Sequence, residues 1–241
     1  MTCRSCSIIS AAIGCTALAA FTLGFAQPSA QTGALAATSQ AKPSAPSATA
    51  APSASAAITC SIDEAHSLAL FRVHHLGASQ FWGRFNDVDG SFTFVPGSAE
   101  GMKFDITIKT DSVDTGVDKL DQHLRSPDFF AAKDFPAMTF VSTGAKKTGE
   151  NTYDLSGDLT IRGTSKPITV KLESTGVAEF GMGKKAGFEA IFTIKRGDFG
   201  VNYMLDKGAL GNDVRVVVCL EGNVAAAPGA NGAAGAPAGK K

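Results

Sequence analysis

Tryptophan and tyrosine are nearly missing from this 241-residue chain: one Trp and two Tyr stand against 16 Phe. Such an aromatic set supplies large apolar area with almost no polar handles. Charge of one sign is also missing. The 22 basic and 22 acidic residues cancel, and no basic stripe interrupts them, which argues against a nucleic-acid partner. No Gly-x-Ser-x-Gly elbow is present to expose a serine nucleophile. Cysteine is sparse beyond residue 15: Cys60 and Cys219 stand far apart, not as Cys-x-x-Cys, so a redox catalyst is unsupported. The four histidines carry no metal-binding spacing. His74 and His75 are neighbours on a strand and point to opposite faces, and His66 and His123 have no carboxylate spaced as a co-ligand. Gly181-Met182-Gly183-Lys184-Lys185-Ala186 matches a dinucleotide fingerprint in letters only, because a strand follows it where pyrophosphate needs a helix N-terminus. These absences leave a binding module rather than an enzyme.

The ends of the chain are not fold. Met1 to Ala26 reads as a cleaved export signal, with Arg4, an apolar run from Ile8 to Phe25, and the small-x-small site Gly24-Phe25-Ala26. A retained N-terminal membrane anchor and a lipid anchor at Cys15, after Ala12-Ile13-Gly14, are the alternatives. The mature protein is therefore expected to be exported. Residues 27–57 are almost all Ala, Ser, Pro, Thr and Gln, a composition that cannot offset chain entropy and reads as a disordered linker. Residues 224–241 form a similar Ala/Gly/Pro tail.

Between Ile58 and Asn223 lies one domain, and it contains every phenylalanine except Phe21 and Phe25. Its dominant signal is a two-residue alternation. Met102, Phe104, Ile106 and Ile108 alternate with Lys103, Asp105, Thr107 and Lys109, and Phe188, Ala190, Phe192 and Ile194 repeat the pattern. Period two means one buried and one wet face, hence antiparallel strands around a shared interior. Strands are expected at Leu68–His75, Phe81–Phe94 (bent at Asp87-Val88-Asp89-Gly90), Met102–Thr110, Ala137–Lys146, Tyr153–Gly163, Lys166–Phe180, Ala186–Lys195 and Asp213–Gly222. Between the third and fourth the period lengthens: Val117, Leu120 and Leu124 share a helical face, Thr115 and Asp118 suit its N-cap, and Ser126-Pro127 ends it. The fold class is therefore all-β with one short helix, an antiparallel barrel of about eight strands. That number of strands encloses either packed side chains or one small ligand.

Taken in order, Asp63-x-x-His66-Ser67, Phe71-x-Val73-x-His75-Leu76, Asp121-x-His123-Leu124, the segment Gly157 through Pro167 and Arg196-x-Asp198-Phe199-Gly200 resemble the YceI family, bacterial periplasmic polyisoprenoid-binding proteins with a lipocalin-like barrel. Asp63-Glu64-Ala65-His66-Ser67 resembles the family's opening Asp-x-x-His-Ser. Phe71, Val73, His75-Leu76, Gly83 and Phe85 follow its next run. Asp121, His123-Leu124 and Asp128-Phe129-Phe130 resemble its helix region, and Gly157 through Pro167 its most recognisable segment. Arg196, Asp198-Phe199-Gly200 resemble a late loop. One departure is Leu120, where the family carries Arg, so the helix face is more apolar here.

The resemblance implies non-catalytic binding of a long isoprenoid or similar lipid, a quinone or polyprenyl phosphate, for storage, transport or protection. No other cofactor is implied. A homodimer and an inner-membrane lipid donor are possible partners. The expected ligand-facing set is Phe71, Val73, His75, Phe85, Phe104, Ile106, Phe140, Gly157, Leu159, Phe188, Phe192 and Val216, with Lys103, Asp158, Arg162 and Arg215 facing out. Gly83 and Gly157 would leave room beside the rings. A barrel of ten-residue strands tilted near 40° is roughly 25 Å tall, which is room for about five extended isoprene units. Two other readings compete: a tethered structural or adhesive domain with a solid core, and a lipid-modifying enzyme using His66 or His75. Finally, the first and last strands of a closed barrel are neighbours, so Cys60 and Cys219 are expected to form a disulfide across the seam.

Overall fold

The computed structural model describes residues 56–225, Met182 excepted. The expected export signal, Cys15, the expected linker up to residue 55 and the expected tail from residue 226 lie outside the described residues. The strands are β1 Ile58–Ile62, β2 Leu68–His75, β3 Ser79–Phe85, β4 Val88–Val95, β5 Ser98–Lys109, β6 Val113–Asp114, β7 Ala137–Lys147, β8 Thr152–Ile161, β9 Thr164–Phe180, β10 Gly183–Lys195 and β11 Leu210–Val224, with a single α-helix, α1 Asp118–Arg125, between β6 and β7. No described helix is long and apolar enough to cross a membrane.

Neighbouring strands pair antiparallel in the order β1-β4-β5-β7-β8-β9-β10-β11, and β1 pairs back onto β11 to close the ring. The barrel is eight-stranded although eleven strands are present among the described residues. The 3-10 turn Glu64–His66 breaks one wall position into β1 and β2, and Asn86-Asp87 breaks the next into β3 and β4. β11 bridges the first break, pairing with β2 from Leu210 to Cys219 and with β1 from Gly222 to Val224. The expected bend in the long strand is this second break, placed just before Val88. β1 and β6 escape a periodicity scan because five and two residues are too few to alternate.

The β8–β9 connection is a two-residue turn, Arg162-Gly163, with φ of 49° and 70°. Left-handed backbone is costly for arginine, and its side chain offsets that cost. Instead of facing out, the Arg162 guanidinium donates to the carbonyls of Phe129 (2.7 Å) and Pro127 (3.0 Å), tying the hairpin to the segment after α1. The helix is capped differently from expectation. Val117 occupies the N-cap without a side-chain bond and is exposed, while Thr115 donates through its backbone N–H (2.8 Å) and its hydroxyl (2.6 Å) to the buried Asp121 carboxylate. Leu120 and Leu124 do turn inward.

Candidate functional site

Inward side chains divide the barrel interior into two halves. At the end holding the β4–β5, β7–β8 and β9–β10 turns, four phenylalanines form a floor. Phe92 stacks on Phe104 (5.4 Å between centroids, 15° between planes), and Phe188 stands edge-on to Phe92, Phe94 and Phe104 at 5.3, 5.0 and 5.2 Å. All four rings are buried. Edge-to-face packing of this kind lets large rings fill the lumen without a void.

Above the floor the lumen is open. A cavity of about 180 Å³ is bounded by Phe71, Val73, Phe85, Phe104, Ile106, Phe140, Leu159, Phe192 and Val216 from the expected set. Val170, Leu172, Ala190 and Ile194 complete its walls, and Leu124, Phe129, Phe130, Phe199, Val201 and Leu210 roof it. Arg196 alone among the lining residues is charged. It is buried and has no carboxylate partner; instead it donates to the carbonyls of Gly211 (2.7 Å), Val201 (2.8 Å) and Leu210 (3.0 Å). Burial holds its pKa below the ordinary arginine value. The guanidinium thus pins the Gly197–Leu210 loop across the mouth, and the cavity is walled by hydrocarbon.

Three expected residues fall elsewhere. His75 is exposed at the end of β2, above the cavity, beside Phe81. Alternation would turn it inward, yet it does not line the cavity, although its register partner Leu210 does. Phe188 belongs to the floor, not the cavity. Gly157 faces inward, yet its room is occupied: a Cβ there would come within 2.5 Å of the Phe140 ring and 2.6 Å of the Val141 carbonyl. Gly83, directly opposite Phe71, likewise seats that ring. The glycines therefore do not open space beside the rings. They let two phenylalanines lie against the wall, and this keeps the centre clear. The roof residues were present in the Asp128-Phe129-Phe130 and Asp198-Phe199 motifs, but outside the strands no alternation shows which way they point.

The disulfide expectation fails. Cys60 and Cys219 are both free. β1 and β11 are neighbours as expected, but Cys60 pairs with Val224, whereas Cys219 sits opposite Leu68 and Glu189. From Cys219 to Val224 the strand advances about 17 Å at roughly 3.4 Å per residue, far beyond the ~7 Å limit for a bridged pair. The faces differ too: Cys60 is buried inside, and the Cys219 thiol points to the Glu189 carboxylate at 3.6 Å. Burial pushes the Cys60 thiol up to about 11.

Histidines do have carboxylate neighbours, contrary to the spacing argument. His123 lies 2.9 Å from Asp128, and His66 lies 3.2 Å from Asp63 and 3.9 Å from Glu221. Asp63, His66 and Glu221 converge closely enough to hold an ion, but the Lys185 ammonium already sits among them, paired with Asp63 and 3.3 Å from Glu221. Hydrogen bonds from Lys185 and then His66 hold the Asp63 carboxyl below its usual range. None of these four residues borders the cavity.

A closed antiparallel barrel with a solid aromatic floor, an apolar chamber and a short-helix roof defines a lipocalin-like barrel. Residues 61–222 match the YceI-like domain, and the chain belongs to that family. It is 43% identical over 159 residues to Protein YceI of Escherichia coli O17:K52:H18, covering 65% of this chain and 81% of that one. The structure of a Campylobacter jejuni YCEI protein superposes with a TM-score of 0.55 at 36% identity, over 62% of this chain and 88% of that one. A polyisoprenoid binding domain from Saccharophagus degradans, implicated in plant cell wall breakdown, shares the fold at 16% identity and a TM-score of 0.54, over 68% and 98%.

Proposed function

We propose that the protein is a non-catalytic carrier of one long-chain isoprenoid or similar lipid, a quinone or polyprenyl phosphate, exported to the periplasm for storage, transport or protection. The observation that carries the reading is the hydrocarbon-walled chamber, whose one charged lining residue, Arg196, donates from each of its three guanidinium nitrogens to a backbone carbonyl. Family membership supports it, and so does the polyisoprenoid binding domain of the same fold. Each buried CH₂ contributes about 0.8 kcal/mol, so an isoprene unit gives roughly 3–4 kcal/mol before ordering costs.

The chamber of about 180 Å³ is far smaller than a full-height pore. It is comparable to the apolar cavity of about 150 Å³ that holds benzene in another protein. As it stands it accepts about one isoprene unit, not five. A longer chain must displace rings or leave through the mouth. The solid-core alternative does not describe this half of the barrel, and a His66 or His75 enzyme would act outside the chamber. Mass spectrometry of organic extracts from purified protein tests the proposal. A reproducible polyprenyl species, or stoichiometric uptake of added ubiquinone, is expected. No extractable lipid together with no uptake would refute it.

A further inference from the structure

The outer face of one barrel wall carries a feature unrelated to the chamber. Arg215 of β11 lies directly opposite Arg72 of β2, and Arg72 lies directly opposite Trp82 of β3. The Arg72 guanidinium sits over the indole, 5.7 Å from its centroid. Like charges facing each other on adjacent strands are destabilising unless something compensates them. Among the described residues no carboxylate does, since neither arginine takes part in an ion pair. Both Nε atoms are shielded from solvent and have no hydrogen-bond partner. One row along the same face, Ile191 of β10 and Val217 of β11 stand side by side. Trp82 is 45% exposed and Ile191 is 39% exposed.

We infer that this wall is a docking surface for an anionic phospholipid bilayer, with Arg72 and Arg215 taking headgroup phosphate and Trp82 and Ile191 entering the interface. The inference rests on the lipid-carrier reading, which requires contact with a membrane. Arginine is suited to phosphate, and an exposed tryptophan beside aliphatics is suited to the boundary between headgroup and chain. Without Arg4 the exported chain has 21 basic against 22 acidic residues, and the domain of residues 58–223 has 18 against 22, so attraction must be local to the pair and outweigh a slight net repulsion. Backbone pairing is complete along β2 and β11 at this row, so an added strand has no edge to join. A two-fold pair of copies meeting on this face would set arginines against arginines.

Trp82 is the chain's sole tryptophan, so its fluorescence reports this face in the unaltered protein. Titration with phosphatidylglycerol vesicles should shift its emission to the blue, with quenching by brominated lipid chains and reversal by salt. Phosphatidylcholine vesicles should give no shift. The R72Q/R215Q double variant, folded by circular dichroism, should bind anionic vesicles about thirtyfold more weakly, at ~1 kcal/mol for each charge near the surface. If that variant does not fold, brominated-lipid quenching of the parent still decides. No response of Trp82 to anionic vesicles, in protein that still yields extractable lipid, overturns the docking surface and leaves the carrier reading standing. A response to polyglutamate but not to vesicles also overturns it, in favour of an acidic protein partner. A response to vesicles from protein that yields no lipid upholds the surface and removes the cargo reading.

Discussion

Replacing Ala190 with leucine separates a ligand chamber from a packed core, because the two predict opposite effects on stability. Ala190 lies on the inward face of β10, is 8% exposed and borders the cavity between the Phe188 floor and Phe192. Leucine adds three carbons to space the structure leaves empty. If a lipid occupies that space, the carbons displace about three methylenes of ligand, or about 2.4 kcal/mol of apolar transfer. That weakens binding roughly fiftyfold. The lipid-free protein should meanwhile unfold at the same urea midpoint or a higher one, since filling an existing void creates no clash. In a solid core the same substitution would cost about 1–3 kcal/mol of overpacking. The assay is ubiquinone uptake by delipidated parent and variant, with urea unfolding of both in parallel. Unchanged uptake, or a midpoint lowered by overpacking, would refute the assignment of this space to ligand.

Ring seating predicts a ranking: Gly157→Ala should destabilise more than Gly83→Ala in urea unfolding, because the Gly157 Cβ meets the Val141 carbonyl as well as a ring, whereas the three atoms nearest the Gly83 Cβ all belong to the Phe71 ring, a side chain that can turn aside. In a chain beginning after residue 26, denatured and unreduced, Ellman's reagent should count two thiols. In the native protein Cys219 should react before Cys60, which burial holds at about 11. At the seam, the Asp63 pKa is lowered chiefly by Lys185, and the Lys185 pKa is raised chiefly by Asp63. The Asp63 contribution is present above the unfolded carboxyl value of about 3.9 and lost as pH falls through its lower folded value; the Lys185 contribution is present below about 10.4 and lost as pH rises through its higher folded value. Lys185→Met should therefore destabilise at neutral pH, with a deficit that narrows in acid unfolding below the Asp63 titration.

Alternation along a strand reports which face a residue takes, and this much was legible. Phe71, Phe104 and Phe192 were placed on the apolar face by period two, and counting the alternating segments gave about eight wall positions, whereas Phe140 came with the family resemblance. Alternation does not report height. Phe188 and Phe192 are on the same face of the same strand, yet one closes the floor and the other walls the chamber. The Cys60–Cys219 pairing failed for the same reason: the strands are neighbours, but their stagger is set by the break at Glu64–His66, which lets β11 meet β2 before β1. The roof was illegible for a different reason. Phe129, Phe130 and Phe199 sit in irregular segments held by long-range bonds from Arg162 and Arg196 to backbone carbonyls, and no local period encodes such bonds.

A hollow upper half and a solid lower half need not come from different compositions, since both are rich in phenylalanine. What differs is the partner each ring meets. At the floor, rings meet rings across the lumen, and edge-on contacts fill it. Higher up, Phe71 and Phe140 meet glycines on the adjoining strands and lie against the wall. A void lined in this way forfeits dispersion contacts that a filled core would make. Strand pairing around the closed ring, the floor cluster and the carbonyl bonds of Arg162 and Arg196 must therefore stabilise the barrel without help from the chamber. An apolar chain entering it would restore the missing contacts, so occupancy should raise the unfolding temperature with the logarithm of free lipid concentration. An unchanged melting temperature under saturating ubiquinone would mean that the chamber is not where the lipid goes.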